Sequence, residues 1–196
     1  MNLPNKLTLS RLVLTGVYVG CFYLPWANAV SIAMLIFGVA AATDYFDGEI
    51  ARARGIVTNF GKLFDPLADK ILVAAAFVML SADSSIPEAL RMPAWITILI
   101  LAREFFVTGI RLVAAGQGAV LAAEKLGKHK MFWQILTVSW FLVKRASDEM
   151  LFGFAKPFYA AMPGWVADAI VYFTTLLTLV SGFSYFWKNR QLFNDA

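Results

Sequence analysis

Cysteine and histidine are almost missing from this chain: one of each in 196 residues, Cys21 and His129. A single cysteine excludes a disulfide framework within the chain, and the lack of a Cys/His cluster disfavours zinc. Charge is also scarce, 15% of residues against 60% hydrophobic. That balance fits an integral membrane protein far better than a water-soluble helical bundle. Low-complexity segments and internal repeats are absent. The net charge of +4 is small and carries topological information rather than a sign of nucleic-acid binding, so no nucleic-acid partner is expected.

What is present is a succession of apolar runs separated by short polar gaps. A hydrocarbon core about 30 Å thick takes roughly 20 mostly apolar helical residues to cross. The chain supplies six such runs, predicting an all-α integral membrane protein with six transmembrane helices in a single domain, 1–196. The opening MNLPNKLTLS reads as a short interfacial helix leading into a first span that ends near Pro25. It could pass for a signal peptide, but no small-x-small cleavage site precedes the next apolar run, and none is expected to be removed. The second span starts near Ala29 and continues as helix to about Arg52; a connector covers 54–60; the third span runs from about Gly61 to Ser81. Pro93 opens the fourth, which ends near Ala115. The fifth covers Met131 to Val143 unless its helix starts upstream, near Glu124. A mixed aromatic stretch, 144–162, suggests a second interfacial helix, and the sixth span covers Gly164 to Trp187.

Lys6, Arg11, Arg52, Arg54, Lys62, Lys125, Lys128, Lys130, Lys188 and Arg190 then fall on one side of the membrane. Arg91, Lys144, Arg145 and Lys156 fall on the other. The richer side is cytoplasmic by the positive-inside rule, which puts both termini there. The six Trp and six Tyr suit the membrane interfaces.

The stretch DYFDGEIARARGIVTNFGKLFDPLADK, residues 44–70, stands apart from this pattern. Asp44 and Asp47 are three apart, Asp65 and Asp69 four apart, so each pair shares one face of a helix. Two such helix ends brought together gather four carboxylates, whose mutual repulsion a divalent cation, or two, removes. Solvated helix ends, or ion pairs to Arg52, Arg54, Lys62 and Lys70, are the plainer reading. Ionisable groups at a membrane boundary are nevertheless costly enough to be functional by default. Oxygen-only ligands favour Mg2+ or Mn2+. Paired ions of that kind suit in-line displacement at phosphorus. Gly48 and Ala51 lie one turn after the first pair of aspartates and Gly61 one turn before Asp65, leaving room for a ligand against the backbone, or for close helix packing. Arg52 matches the oxygens of a diphosphate.

Written with its gaps, the stretch is D-x-x-D-G-x-x-A-R, eight residues, G-x-x-x-D-x-x-x-D. At every fixed position it resembles the signature of the CDP-alcohol phosphotransferase family. The resemblance implies six transmembrane helices, a homodimer, a two-metal site and transfer of a phosphatidyl or similar group from a CDP-linked donor to an alcohol, with release of CMP. On this chain it makes Asp44, Asp47, Asp65 and Asp69 the metal ligands. Asp69 would also be the base that takes the acceptor's proton. Gly48, Ala51, Arg52 and Gly61 would cradle the cytidine and diphosphate.

Four further stretches, LPNKLTLSRL, FGKLFDPLADK, ILAREFFVTGIRLVAA and GKHKMFWQ, resemble the bacterial branch of that family that accepts glycerol 3-phosphate. That branch implies CDP-diacylglycerol as donor, glycerol 3-phosphate as acceptor, and a multi-pass enzyme of the bacterial inner membrane with its active site at the cytoplasmic face. Its lipid substrate would enter through a lateral opening between spans. Met131 stands where the branch usually has threonine, which puts a hydroxyl contact in doubt.

Arg103 falls mid-way along the fourth span, where an unpaired cation would be costly. Glu104 and Arg111, seven apart, share a helix face and could form a salt link. Alternatively, Arg103, Arg111, Lys128 and Lys130 surround the acceptor's phosphate. Inositol phosphate would need the same cations; serine would not. His129 is read as an interfacial residue. Asn5, Thr8 and Arg11 share a face of the leading helix and either contact the nucleotide or anchor the helix. A divalent-cation transporter is the reading of a different class. It is disfavoured because the four carboxylates sit at one membrane face, with none deep in the later spans.

Overall fold

The computed structural model describes the backbone of residues 3–54, 59–86, 91–119, 121 and 125–193, and the side chains of those residues except 3–8, 44–66, 69 and 125. Among the described residues the secondary structure is entirely helical. Helix α1 spans Leu3–Cys21, α2 Ala29–Arg54, α3 Asn59–Ala82, α4 Ala94–Gly116, α5 Lys125–Ala146, α6 Lys156–Ala161 and α7 Trp165–Lys188. Short 3-10 segments, Met150–Ala155 and Arg190–Phe193, precede α6 and follow α7.

The expected interfacial helix and first span are one continuous element, α1. Pro4 sits at its start, where a missing N–H costs nothing. Nothing after it breaks the ladder until the approach to Pro25, whose ring disfavours helix in the residue before it. The fifth helix takes the upstream alternative and begins at Lys125. The stretch 144–162 holds the end of α5, a 3-10 segment and the short α6 rather than one interfacial helix.

The chain divides into two compact units, one built from residues 1–91 and 138–163 and the other from 92–137 and 164–196. In the first, α1 packs against both α2 and α3, which also touch each other. Tyr18 of α1, fully buried, meets Phe37 of α2 at 6.2 Å between ring centroids. Ala33 and Ala40 on α2, and Ala68 and Ala76 on α3, are completely buried, the small side chains that let helix backbones approach closely. At the opposite end, Asp83 accepts from Arg145 Nε at 3.2 Å and from the Ser85 amide at 3.0 Å, tying the end of α3 to the end of α5.

In the second unit α4 packs on α7. The polarity of α7 is inverted relative to a water-soluble helix. Its buried residues include Thr174, Thr175, Thr178, Ser181 and Tyr185, whereas Phe173, Leu176, Val180, Phe183 and Trp187 are exposed. Polar-in and apolar-out is the arrangement that hydrocarbon solvent selects. Among the described residues α7 is the one helix long and apolar enough to cross a bilayer unaided; shorter apolar stretches occupy Leu9–Cys21, Ala29–Thr43 and Lys70–Ala82.

Candidate functional site

The carboxylate stretch lies in the first unit and is set by helix continuity. Helix α2 runs unbroken through Asp44, Asp47, Gly48, Ala51 and Arg52, and α3 through Gly61, Asp65 and Asp69. Each aspartate pair therefore lies within one helix at the spacing that gives a shared face. The side chains of these eight residues lie outside the described ones. Pro66 falls about two turns into α3. It cannot donate to the carbonyl of Lys62, so the ladder lacks one bond beside Asp65. Helices α2 and α3 contact one another, and carboxylates are the oxygen donors that suit hard divalent cations. Among the described residues there is no group of three or more His, Cys, Asp or Glu side chains that could hold a metal ion.

A separate polar cluster, fully described, lies within the second unit. Glu104 of α4 is its hub. One carboxylate oxygen, Oε1, accepts from Arg103 at 3.2 Å, from the ammonium of Lys130, and from Gln134 Nε2 at 3.4 Å. The three charged side chains are only 9–14% exposed. Arg103 also donates to Ser181 Oγ of α7 at 2.9 Å, and Gln134 donates to Thr178 at 3.3 Å. One turn further along, Thr137 and Thr174 share a hydrogen bond of 2.7 Å. Three helices are thus joined through largely buried polar groups, where a low local dielectric strengthens each bond.

Of the four cations predicted for an acceptor phosphate, the structure brings Arg103 and Lys130 together on Glu104. Arg111 stands elsewhere: its Nε donates to the Tyr185 hydroxyl at 3.1 Å and its guanidinium lies 5.3 Å from that ring's centroid. The possible Glu104–Arg111 link is replaced by these two sets of partners. An i,i+7 pair is two turns apart, whereas α5 and α7 offer nearer groups. Lys128 and His129 are exposed. Arg11 is buried, at 3% exposure, while the side chains of Asn5 and Thr8 lie outside the described residues.

Gln134, Thr178, Ser181, Gly182 and Tyr185 escape a reading that looks for charge. The available signal was the row Thr174, Thr178, Ser181 and Tyr185 at steps of four, three and four, a polar face in an otherwise apolar run.

Helices throughout the described residues, with a polar inner and an apolar outer face on α7, define a class: membrane-type helical proteins. Within that class the chain belongs to the CDP-alcohol phosphatidyltransferase family, whose model matches residues 1–180. It is 40% identical to the CDP-diacylglycerol–glycerol-3-phosphate 3-phosphatidyltransferase of Bacillus subtilis, over 97% of this chain and 96% of that one. A protein of the same name from Rickettsia typhi is 35% identical over 98% of this chain and 99% of its own length. One from Salmonella typhimurium is 36% identical over 72% and 76%.

Proposed function

We propose that this chain transfers the phosphatidyl group of CDP-diacylglycerol to the primary hydroxyl of sn-glycerol 3-phosphate, forming phosphatidylglycerophosphate and CMP. The observation that carries this reading is the intact carboxylate motif in a chain 40% identical, nearly end to end, to a relative bearing that activity's name. The family match supports treating both compact units as parts of one domain.

The chemistry assigned to the residues is as follows. Asp69 takes the proton of the acceptor hydroxyl, whose oxygen forms a bond to the phosphorus that bears diacylglycerol. The bond from that phosphorus to the bridging anhydride oxygen breaks, and its electron pair leaves with CMP. Asp44, Asp47, Asp65 and Asp69 would hold two divalent cations, Mg2+ or Mn2+, which would supply charge neutralisation for the displacement at phosphorus. Gly48, Ala51 and Gly61 leave space for the nucleotide, and Arg52 pairs with its diphosphate. Arg103, Lys130, Arg111 and Lys128 serve the phosphate of the acceptor.

The inverted polarity of α7 supports a membrane setting. With it goes the reading of six spans, α1 to α5 and α7, with both termini and the carboxylates at the cytoplasmic face of a bacterial inner membrane, in a homodimer.

The test is CMP release by the purified, detergent-solubilised protein from CDP-diacylglycerol, with glycerol 3-phosphate, inositol phosphate and serine supplied in turn. Release with glycerol 3-phosphate is the expected result, and Asp69→Asn should lower kcat by roughly 10^2 to 10^4. Silence with all three acceptors would overturn the reading. Release with inositol phosphate or serine alone would reassign the acceptor.

A further inference from the structure

The hub residue Glu104 has no role in the reaction above, yet it pairs with two of the cations assigned to the acceptor's phosphate. Its Oε1 receives both Arg103, at 3.2 Å, and the ammonium of Lys130. Glu104 Oε1 is a negative partner shared by both cations, and its charge offsets their mutual repulsion. The third donor, Gln134, is 2% exposed and is itself held by Thr178 of α7, so the carboxylate has a fixed seat.

A second, independent feature acts on the same arginine. The side chain of Arg103 lies directly across Gly182 of α7 on its way to Ser181. A Cβ built on Gly182 would stand 2.7 Å from Arg103 Cγ and 3.2 Å from its Nε. The atom met first is near the root of the side chain, so the whole arginine would have to swing aside. Gly109 on α4 and Gly127 on α5, by contrast, meet nothing within 4 Å. The missing side chain at position 182 is therefore a clearance matched to Arg103.

We infer that Glu104 and Gly182 are positioning residues for the acceptor: Glu104 draws the guanidinium of Arg103 and the ammonium of Lys130 together, and Gly182 lets Arg103 reach that place. This rests on the reading of Arg103 and Lys130 as acceptor-phosphate ligands, and it adds the groups that aim them. The ligand class is a phosphomonoester carried by a small alcohol.

The test compares Glu104→Gln and Gly182→Ala with wild type, using CMP release at varied glycerol 3-phosphate and, separately, at varied CDP-diacylglycerol. Loss of an aimed, charge-assisted contact predicts that KM for glycerol 3-phosphate rises about tenfold in each variant while KM for CDP-diacylglycerol stays within about twofold. Glu104→Asp, which keeps the charge, should recover part of the loss. A merely structural role would lower the yield of folded protein and leave both KM values where they were. That result, or equal rises in both, overturns the inference, as does failure of both variants to accumulate in the membrane. The acceptor reading fails separately, in the wild type, if glycerol 3-phosphate elicits no CMP.

Discussion

Glu149 closes the N-terminus of α2 from 118 residues further along the chain: its two carboxylate oxygens accept the amides of Val30 at 3.0 Å and Ser31 at 2.7 Å. The first amides of any helix lack intrahelical partners, and a carboxylate there satisfies both the hydrogen bonds and the positive end of the helix dipole. In the same place Asn28 Oδ1 accepts the amide of Leu151 at 3.3 Å, so the two segments cap one another. This junction fixes the start of the helix whose later turns carry Asp44 and Asp47.

Glu149→Ala should therefore cost about 1–2 kcal/mol, the range for a lost helix cap with a charged partner. The check is the midpoint of thermal unfolding in detergent, with kcat per folded enzyme unchanged. A midpoint equal to that of wild type would refute the cap.

The Asp83 carboxyl gives a pH-dependent counterpart at the other end of the same unit. Burial alone would push its pKa up. Hydrogen bonds from the Ser85 hydroxyl and amide, with the charge and hydrogen bond of Arg145, outweigh that and hold it below its usual 3.8. A carboxyl with a depressed folded pKa adds stability that is fully present above the unfolded value and is lost as pH falls through the folded one. The difference in unfolding midpoint between wild type and Asp83→Asn should thus be constant above about pH 5 and shrink as pH drops below about 4. A difference that grew on acidification would contradict the Asp83–Arg145 arrangement.

How legible these features were depends on the range of the interactions behind them. Helix boundaries are local, and the sequence-based ends of α2, α3, α4 and α7 lie within about two residues of the observed ones, the usual fraying margin. The carboxylate motif was legible for the same reason: its spacing is a property of one helix at a time. Glu149 on α2, Glu104 on Lys130 and Arg103 across Gly182 are meetings between distant segments, and no periodicity announces which partner will arrive. Glu104 and Arg111 show the failure plainly. They share a helix face, but Lys130 of α5 and Tyr185 of α7 offered nearer groups. The short interfacial helix expected to lead into the first span is continuous with it in α1. A change of composition along α1 marks a change of solvent, which does not interrupt a hydrogen-bond ladder.

Chelation of divalent ions should abolish CMP release, and Mg2+ or Mn2+ should restore it. Asp44→Asn removes one charged oxygen donor of the proposed set, and the metal concentration for half-maximal activity should rise by about tenfold or more. Titration of the chelated enzyme with each ion measures this directly. Activity that survives exhaustive chelation would remove the carboxylates from the role assigned to them.

The end of α4 offers a test free of the active chemistry. Gly118 has φ of +75°, the one positive φ among the described residues. The Ala119 amide bonds to the carbonyl of Ala114 at 2.8 Å and the Gly118 amide to that of Ala115 at 3.1 Å, the paired bonds of a Schellman stop with glycine in the left-handed position. An added Cβ would meet no neighbouring atom within 4 Å, so space is not the obstacle. The backbone is: an L-residue held in that conformation loses about 1–2 kcal/mol. Gly118→Ala should lower the unfolding midpoint accordingly, and Gly118→Asn, which tolerates the left-handed region better, should lower it less. Equal effects from both would mean that α4 ends by some means other than its glycine.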